Sequence, residues 1–474
     1  MGFLMPASQA STSQMGTFQA QGLKQAVVIG ASFSGLCAAR VLSEFFERVL
    51  ILEKDPLDET IRRGVPQYLQ SHVLLGQGFQ QLTELFPDLE REMLQQGAHK
   101  TDIGTYAHWY QWGGWKRNMR TGVSALSCSR ALLETTLRKQ VEKLQNVQLL
   151  PAHKVLGLLS EASPREQAIH GLKVQTPQGE QELSAQLVID CSGRGSHVKQ
   201  WLVQLGFVAP KESEIPAKVG YVTCRYRFPS PDPLKGQALV ITPAAPAETR
   251  AGMALPIEDD QWSVTLAGWC SDHPEPTPEG ILKFAQSLPV PDLHQVLLTA
   301  EPLTDPLRHL IPSSIRKHFE KLKTFPRGLL VMGDALCSFN PTYGQGITVG
   351  VLEAQHLHDC LSESQGDLRD LWRWFFKRIQ PVLKTAWSMV ELEDSRFFPE
   401  HTISPMDRVL QRYLVRMQQA ATRSEEVAEA FYRVLNMIDP PQALFHPRVL
   451  WRVLLRGQKV SSQAVPLYQR SSRL

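Results

Sequence analysis

The stretch GASFSG at residues 30–35 follows an apolar run, QAVVIG, and precedes a helical stretch, FSGLCAARVLSEFF. Its spacing approximates the G-x-G-x-x-G pattern that seats a dinucleotide pyrophosphate on a helix N-terminus. Gly30 and Gly35 hold the outer positions, one for the tight turn and one for close helix–strand packing, and Ser32 stands where the middle glycine leaves bare backbone. A hydroxyl there can itself donate to a phosphate at the positive end of the helix. A glycine-punctuated structural turn is the competing reading. Glu53 ends the next apolar run, about 20 residues on, where an acid accepts the ribose hydroxyls of an adenosine and disfavours a 2′-phosphate. The bland alternative is a solvated carboxylate at a strand end.

A second cluster lies far downstream, in GLLVMGDALCSFNPTYGQGITVGVLEA. An apolar strand ends in Gly333-Asp334, a loop passes through Pro341, and Gly344-Gln345-Gly346 opens a helix. That helix start aims bare N–H groups and a positive dipole end at an anion. The negative N1–C2=O edge of a reduced flavin suits such a device, and Asp334 is placed to accept from a ribityl hydroxyl. A βα turn with a glycine-rich cap accounts for the glycines but not for Asp334, Pro341 and Gln345 together.

These residues need elements to hold them. QAVVIG reads as a buried strand, 33–46 as a helix and RVLILEKD as a second strand, which makes one βαβ unit. Residues 127–145 show helical spacing at Leu133, Leu137, Val141 and Leu144 behind capping serines, and AQLVIDCSG follows as a strand. Between about 217 and 270 the texture alternates: Val222, Cys224, Tyr226 and Phe228 share one face, Thr223, Arg225 and Arg227 the other. That predicts an antiparallel sheet with one face on a core. The expected architecture is α/β: a Rossmann-like, glutathione-reductase-type nucleotide-binding domain with an inserted antiparallel-sheet substrate domain and C-terminal helices. The expected division is a disordered tail at 1–24, a discontinuous nucleotide-binding domain at 25–100, 125–205 and 325–365, a substrate domain at 101–124 and 206–324, and a helical region at 366–474.

At 474 residues with 43% apolar and 20% charged residues, the chain can bury a full core. A net charge of +3 on nearly balanced acids and bases indicates no broad cationic face, so nucleic acid is not an expected partner. Seven cysteines without C-x-x-C pairs suit buried, inert thiols in a reducing cytosol, and no metal site is indicated. Signal-peptide and transmembrane windows are missing, and Pro6 breaks the myristoylation pattern. The expected location is cytoplasmic, with peripheral membrane contact through 446–474 as an added expectation: this stretch holds Arg448, Arg452, Arg456, Lys459, Arg470 and Arg473, no acid, and interleaved Val449, Leu450, Trp451, Val453, Leu454 and Leu455. A basic helix packed on its own domain is the alternative there.

With these motifs in hand, the sequence resembles the FAD-dependent aromatic hydroxylases and epoxidases with the para-hydroxybenzoate hydroxylase fold, over roughly residues 25–400. GDALCSFNPTYGQG carries the resemblance most specifically, with RRGVPQ, SRALLETTL and DCSGRGSHVKQWL beside it; LPIEDDQWSVTLAG and FNPTYGQGITVG make it look closest to polyether-type epoxidases, which are distantly similar to squalene epoxidase. The resemblance implies that Gly30, Ser32, Gly35 and Glu53 hold the ADP half of FAD, that Arg63 and Arg130 lie along the cofactor, with a surface base as the alternative for each arginine and Arg130 favoured by its place at a helix start, and that Asp190 sits near its adenosine side. It places Asp334 on the ribityl or pyrophosphate and Pro341, Gly344, Gln345, Gly346 and Ile347 at the isoalloxazine, where Pro341, Gly344 and Gln345 count as the catalytic set. Two departures stand out. PQYLQSH puts Leu69 and Gln70 where relatives have a basic pair, leaving only His72, and Cys-Ser separates Asp190 from Gly193 where the hydroxylases have adjacent Asp-Gly, a motif linked with nicotinamide use.

The implied activity is a monooxygenase of secondary metabolism that inserts one atom of O2 into an apolar or aromatic substrate through a flavin hydroperoxide, as epoxidation or hydroxylation. NAD(P)H is the implied transient reductant, with a separate flavin reductase as the other electron source. The protein's task is orientation and exclusion of water, so no catalytic triad is expected. Tyr221, Arg225, Trp262 and Trp269 are candidate pocket-lining residues, with ordinary core or surface as the alternative for each. Other readings on the same scaffold are a halogenase, although HWYQWGGW does not match its W-x-W-x-I-P segment, and a prenyl reductase or dehydrogenase. A membrane-associated lipid-binding flavoprotein is a reading from another class.

Overall fold

A computed structural model of the chain describes residues 22–57, 71–161, 167–398 and 404–456. At its centre is a five-stranded parallel sheet in the order Leu329–Val331, Leu187–Asp190, Gln25–Ile29, Arg48–Leu52, Val147–Leu150. Val27 pairs with Val188 on one side and Leu50 on the other, and all three are 0–2% exposed. A parallel sheet covered on both faces calls for continuous apolar strands of this kind. Helix Phe33–Leu42 packs on the sheet, and Arg130–Glu142 and Gly346–Ser364 pack against it. The expected α/β architecture with a separate antiparallel sheet is what the chain adopts.

The boundaries follow local chemistry. The first helix ends at Leu42 rather than 46, where Ser43 begins a turn. Residues 124–129 extend as a strand before Ser129 caps helix Arg130–Glu142, its Oγ accepting from the Leu132 amide at 3.1 Å.

The second sheet is built around Glu212–Arg227, flanked by Trp262–Gly268 and Leu307–Lys317, then Arg250–Pro256 and Ala238–Ile241; Ala107–Gln111 adds in parallel beside the last. One face does pack on a core: Val222, Cys224, Tyr226, Phe228 and Trp262 cluster with the helices Pro278–Gln286 and Asp292–Leu297. The other face is not left to water, as the alternation suggested. Ala217, Val219, Tyr221, Ala267 and Trp269 pack with Phe397 and Phe398, so Trp262–Gly268 is buried at every position. Alternation in the sequence marks the polar–apolar contrast along one strand, and a later segment of chain covers the second face.

The C-terminal helices divide between two cores. Leu371–Arg378 and Gln380–Asp394 contribute Phe375, Phe376 and Trp387 to the nucleotide-domain core, whereas Pro405–Ala420, Glu425–Leu435 and Pro447–Arg456 form their own cluster around Tyr432. No described helix is long and apolar enough to cross a membrane. Six cysteines are buried as expected, but Cys270 is exposed, because it stands on a left-handed turn with Ser271 after the strand Trp262–Gly268.

Candidate functional site

The first glycine loop explains itself sterically. Gly30 has φ +100°, and a Cβ there would lie 2.7 Å from the Cys191 carbonyl oxygen; a Cβ on Gly35 would lie 1.9 Å from the Gly30 carbonyl oxygen. Both positions demand glycine, for the turn and for the helix approach. Glu53, 5% exposed, accepts from the Ala31 amide with one oxygen and from the Asp55 amide with the other, both at 3.0 Å, so it braces the loop from the neighbouring strand. Ser32 accepts from the Arg130 guanidinium at 3.1 Å and donates to Glu134 at 3.3 Å. Its hydroxyl is thus drawn toward the helix Arg130–Glu142.

Glu134 is the piece that motif reading passed over. It is 1% exposed and lies between Arg130 at 3.6 Å and Arg138 at 3.4 Å, one turn away on either side. The i,i+4 spacing of base, acid and base in SRALLETTLRK was the available signal. Arg63 lies outside the described residues, as do Leu69 and Gln70.

Asp190 ends its strand with a fully buried carboxylate that turns into its own loop, accepting from the Ser192 amide at 3.0 Å and from the hydroxyls of Ser192 and Ser196 at 2.5 Å. It shapes the Gly193–Gly195 turn, where an added Cβ on either glycine meets nothing within 4 Å. Arg194 between them donates to the Ser313 carbonyl of the second sheet, which ties the two domains together. Burial pulls its basicity down, opposed by the charge of Asp334.

Asp334 sits in the turn Gly333–Ala335 and is exposed, yet protein encloses it closely enough that burial pushes its carboxyl up against the pull of Arg130 and Arg194. Its carboxylate borders the open space beside the start of the helix Gly346–Ser364. Across that space, Gly344 adopts a left-handed conformation with φ +67° and open space beside it, and a Cβ on Gly346 would meet only Asp334 Oδ1, at 4.0 Å. Ser34 wedges between the two motifs: a Cβ on Gly333 or Gly350 would lie 2.5 or 2.6 Å from its Oγ. The starts of helices Phe33–Leu42 and Gly346–Ser364 therefore lie side by side. Neither has a side-chain cap among the described residues, so both positive ends are free to face an anion.

Pro341 opens a short turn to Tyr343 that Asn340 caps, accepting from the Thr342 amide at 3.2 Å. Gln345 is 1% exposed, donates to Met389 Sδ at 3.4 Å and leaves Oε1 without a partner among the described residues. Its side chain points into the protein, so it meets the cleft through backbone. Ile347 is half-buried on the first turn of the helix.

Of the four candidate lining residues, Tyr221 and Trp269 are buried in the core that Phe397 and Phe398 close, with Phe397 stacked on Trp269 at 5.1 Å, and Trp269 reaches this loop through Asp394, which also accepts from Tyr343. Arg225 lies on the same strand, four residues beyond Tyr221. Trp262 is not in this core: it stacks on Phe228 at 4.5 Å in the opposite core, as strand parity dictates. His309, beside Tyr221 at 5.4 Å, is held below its ordinary basicity by burial and by Arg194.

Open glycines, an enclosed acid and two uncapped helix starts around one cleft fit a dinucleotide with a second anionic edge. Residues 24–367 match the FAD binding domain family. Protein Rv3254 of Mycobacterium tuberculosis is 33% identical over 437 residues, spanning 87% of this chain and 90% of that protein. Kynurenine 3-monooxygenase of Emericella nidulans is 24% identical over 380 residues, spanning 74% of this chain and 69% of that enzyme. Among solved structures, PqsL of Pseudomonas aeruginosa, described as a probable FAD-dependent monooxygenase, has a TM-score of 0.60 at 14% identity and covers 79% of this chain and 98% of its own. At that identity the likeness is one of fold. With the family match spanning most of the chain and the starts of its two glycine-bearing helices lying side by side, the chain belongs to the FAD binding domain family, and its cofactor is FAD.

Proposed function

We propose that the chain is a monooxygenase that inserts one atom of O2 into an apolar or aromatic small molecule, as a hydroxylation or an epoxidation, with NAD(P)H as reductant. The observation that carries this reading is that Asp394 accepts from both Tyr343, the neighbour of Gly344, and Trp269, which brings the Gly344–Gly346 helix start beside the aromatic cluster of Tyr221, Trp269 and Phe397. Bound FAD supplies the oxygen chemistry. Gly30, Ser32, Gly35, Glu53 and Arg130 hold its ADP half in this reading, with Glu134 fixing Arg130 and with Arg63 assigned by resemblance alone. Asp190 shapes the Gly193–Gly195 turn, and Asp334 accepts from the ribityl chain. The backbone of Pro341 and Gly344 would border the ring, and the amides of Gln345, Gly346 and Ile347 at the helix start would supply the N–H donors for its anionic edge. The aromatic wall orients the substrate and keeps water out.

An anaerobic titration of purified protein with NADPH, following the visible flavin bands with and without a panel of polyene and aromatic compounds, tests the reading. Bleaching that one compound accelerates, followed in air by an oxygenated product, is the expected result. Flavin that stays oxidised points to a separate reductase, a halide-dependent product to a halogenase, and turnover without oxygen to a dehydrogenase.

A second reading concerns a partner. Helix Pro447–Arg456 buries Val449 and Val453, yet its outward side carries Trp451, Leu454 and Leu455 at 65%, 62% and 59% exposure, with Arg448 and Arg452 on the flank. An outer arc of apolar residues bordered by bases suits the surface of an anionic membrane, where an apolar substrate would also partition.

A further inference from the structure

Asp394 ends the helix Gln380–Asp394 with a carboxylate that is 0% exposed. Its hydrogen-bond partners among the described residues are neutral and come from two other parts of the chain. Trp269 Nε1, at the end of the sheet strand, donates to Oδ1 at 3.1 Å. Asn340 Nδ2 reaches Oδ1 at 3.2 Å and Oδ2 at 3.3 Å, and the Tyr343 hydroxyl donates to Oδ1 at 2.6 Å.

A buried carboxylate held by neutral donors is costly, and an apolar side chain of similar volume would pack here at less expense. What an apolar residue cannot do is accept from three donors arriving from different directions. Two of those donors, Asn340 and Tyr343, bracket Pro341, and the side chain of the same Asn340 accepts from the Thr342 amide and hydroxyl while its backbone amide donates to Ser314 at 2.8 Å. Through Asn340 the carboxylate holds the turn that leads directly into Gly344 and Gly346. The third donor, Trp269, belongs to the aromatic wall, stacked on Phe397. One carboxylate therefore fixes the ring-facing loop against the substrate-facing wall.

We infer that Asp394 is a positioning residue of the flavin site: it sets the placement of loop 340–346 relative to the Trp269 wall, and so the seating of the flavin ring. The inference rests on the reading that this loop borders the ring. The test uses the full-length protein reconstituted with FAD and compares Asp394→Ala, Asp394→Asn and the double swap Asn340→Asp with Asp394→Asn. In the swap, the carboxamide introduced at position 394 would accept from Trp269 and Tyr343 through its carbonyl, and its NH2 group would donate to the carboxylate introduced at position 340, which still accepts from Thr342. Fluorescence titration gives FAD affinity, and the visible bands and circular dichroism of the bound flavin report its surroundings. Asp394→Ala, with an unchanged far-ultraviolet spectrum, should weaken FAD by about tenfold or more and shift the flavin bands. Asp394→Asn alone sets amide against amide and should fall between, while the swap should return affinity and bands toward the wild type. Should the alanine variant fail to fold, the asparagine variant against the swap makes the same comparison. Wild-type affinity and bands in both single variants, or a folded swap no better than the asparagine variant, would overturn the inference. If instead Gly346→Ala leaves FAD affinity and bands untouched, the placement of the ring itself is wrong, whatever Asp394 does.

Discussion

Glu353 lies fully buried beneath the Gly333–Ala335 turn, where one carboxylate oxygen accepts from the Gly333 amide at 2.6 Å and the other has no partner among the described residues. Burial pushes this carboxyl up to about 8, the Gly333 amide opposing and the charge of Asp334 adding to the rise. The group is therefore protonated in the folded protein at neutral pH, with a donor to spare. In the unfolded chain it ionises near 4.5, so the folded state holds the proton more tightly. Its contribution to stability is full at acid pH, declines as pH rises from about 4.5, and levels off above about 8. Glu353→Gln keeps an acceptor for Gly333 and cannot ionise. Thermal melts from pH 5 to 8 should slope downward less steeply in this variant than in the wild type, and equal slopes would show that Glu353 does not hold its proton. Glu353→Ala orphans the Gly333 amide and should cost about 1–3 kcal/mol at pH 5, and this cost should shrink as pH rises toward 8 because only the wild type carries the ionising carboxyl.

The two glycine-opened helices make opposite predictions for the same substitution. A Cβ on Gly35 would run into the Gly30 carbonyl at 1.9 Å, so Gly35→Ala must push helix Phe33–Leu42 off its strand and should cost about 3 kcal/mol or more. A Cβ on Gly346 enters the open cleft and meets only Asp334 Oδ1 at 4.0 Å. Gly346→Ala should therefore melt like the wild type and yet bind FAD at least about tenfold more weakly, measured by fluorescence titration. A Gly346→Ala protein that melts early would show that the space beside it is needed for folding. These elements were largely legible in the sequence because each depends on neighbours within a turn or a strand: Gly30 and Gly35 on one loop, Gly333-Asp334 at a strand end, Ser129 ahead of its helix. What was not legible is what tertiary contact adds. Arg194 stood inside a quoted motif without a role because its partner, the Ser313 carbonyl, is 119 residues away. Asp394 sits in ELED, which reads as a solvated acidic helix end, and only folding brings Asn340 to it across 54 residues. The second face of the Trp262–Gly268 strand was misread for the same reason, since Phe397 and Phe398 cover it from a distant part of the chain.

The whole molecule carries a nearly neutral balance, so the basic flank of helix Pro447–Arg456 is a local feature rather than part of a general positive field. On this helix Val449 and Val453 face the core around Tyr432, and Arg452 reaches Glu426. Trp451, Leu454 and Leu455 lie on the remaining arc, where a helix of a protein surrounded by water is ordinarily polar. The stacked pair Tyr413 and Phe445, at 5.0 Å, lies just ahead of it, and Phe445 is itself 41% exposed. An apolar arc of this kind gains by insertion into an interface, and Arg448 beside it gains only where the headgroups are anionic. Full-length protein should therefore sediment with vesicles containing phosphatidylglycerol, less so as salt is raised, and not with purely zwitterionic vesicles. The triple variant Trp451→Ser, Leu454→Ser, Leu455→Ser should stay in the supernatant while keeping its FAD and its melting temperature, because none of the three side chains supports the core. A triple variant that still sediments would remove this surface from consideration. A wild type that ignores vesicles but loses a dimer on the same substitutions would show that a second copy covers the arc instead.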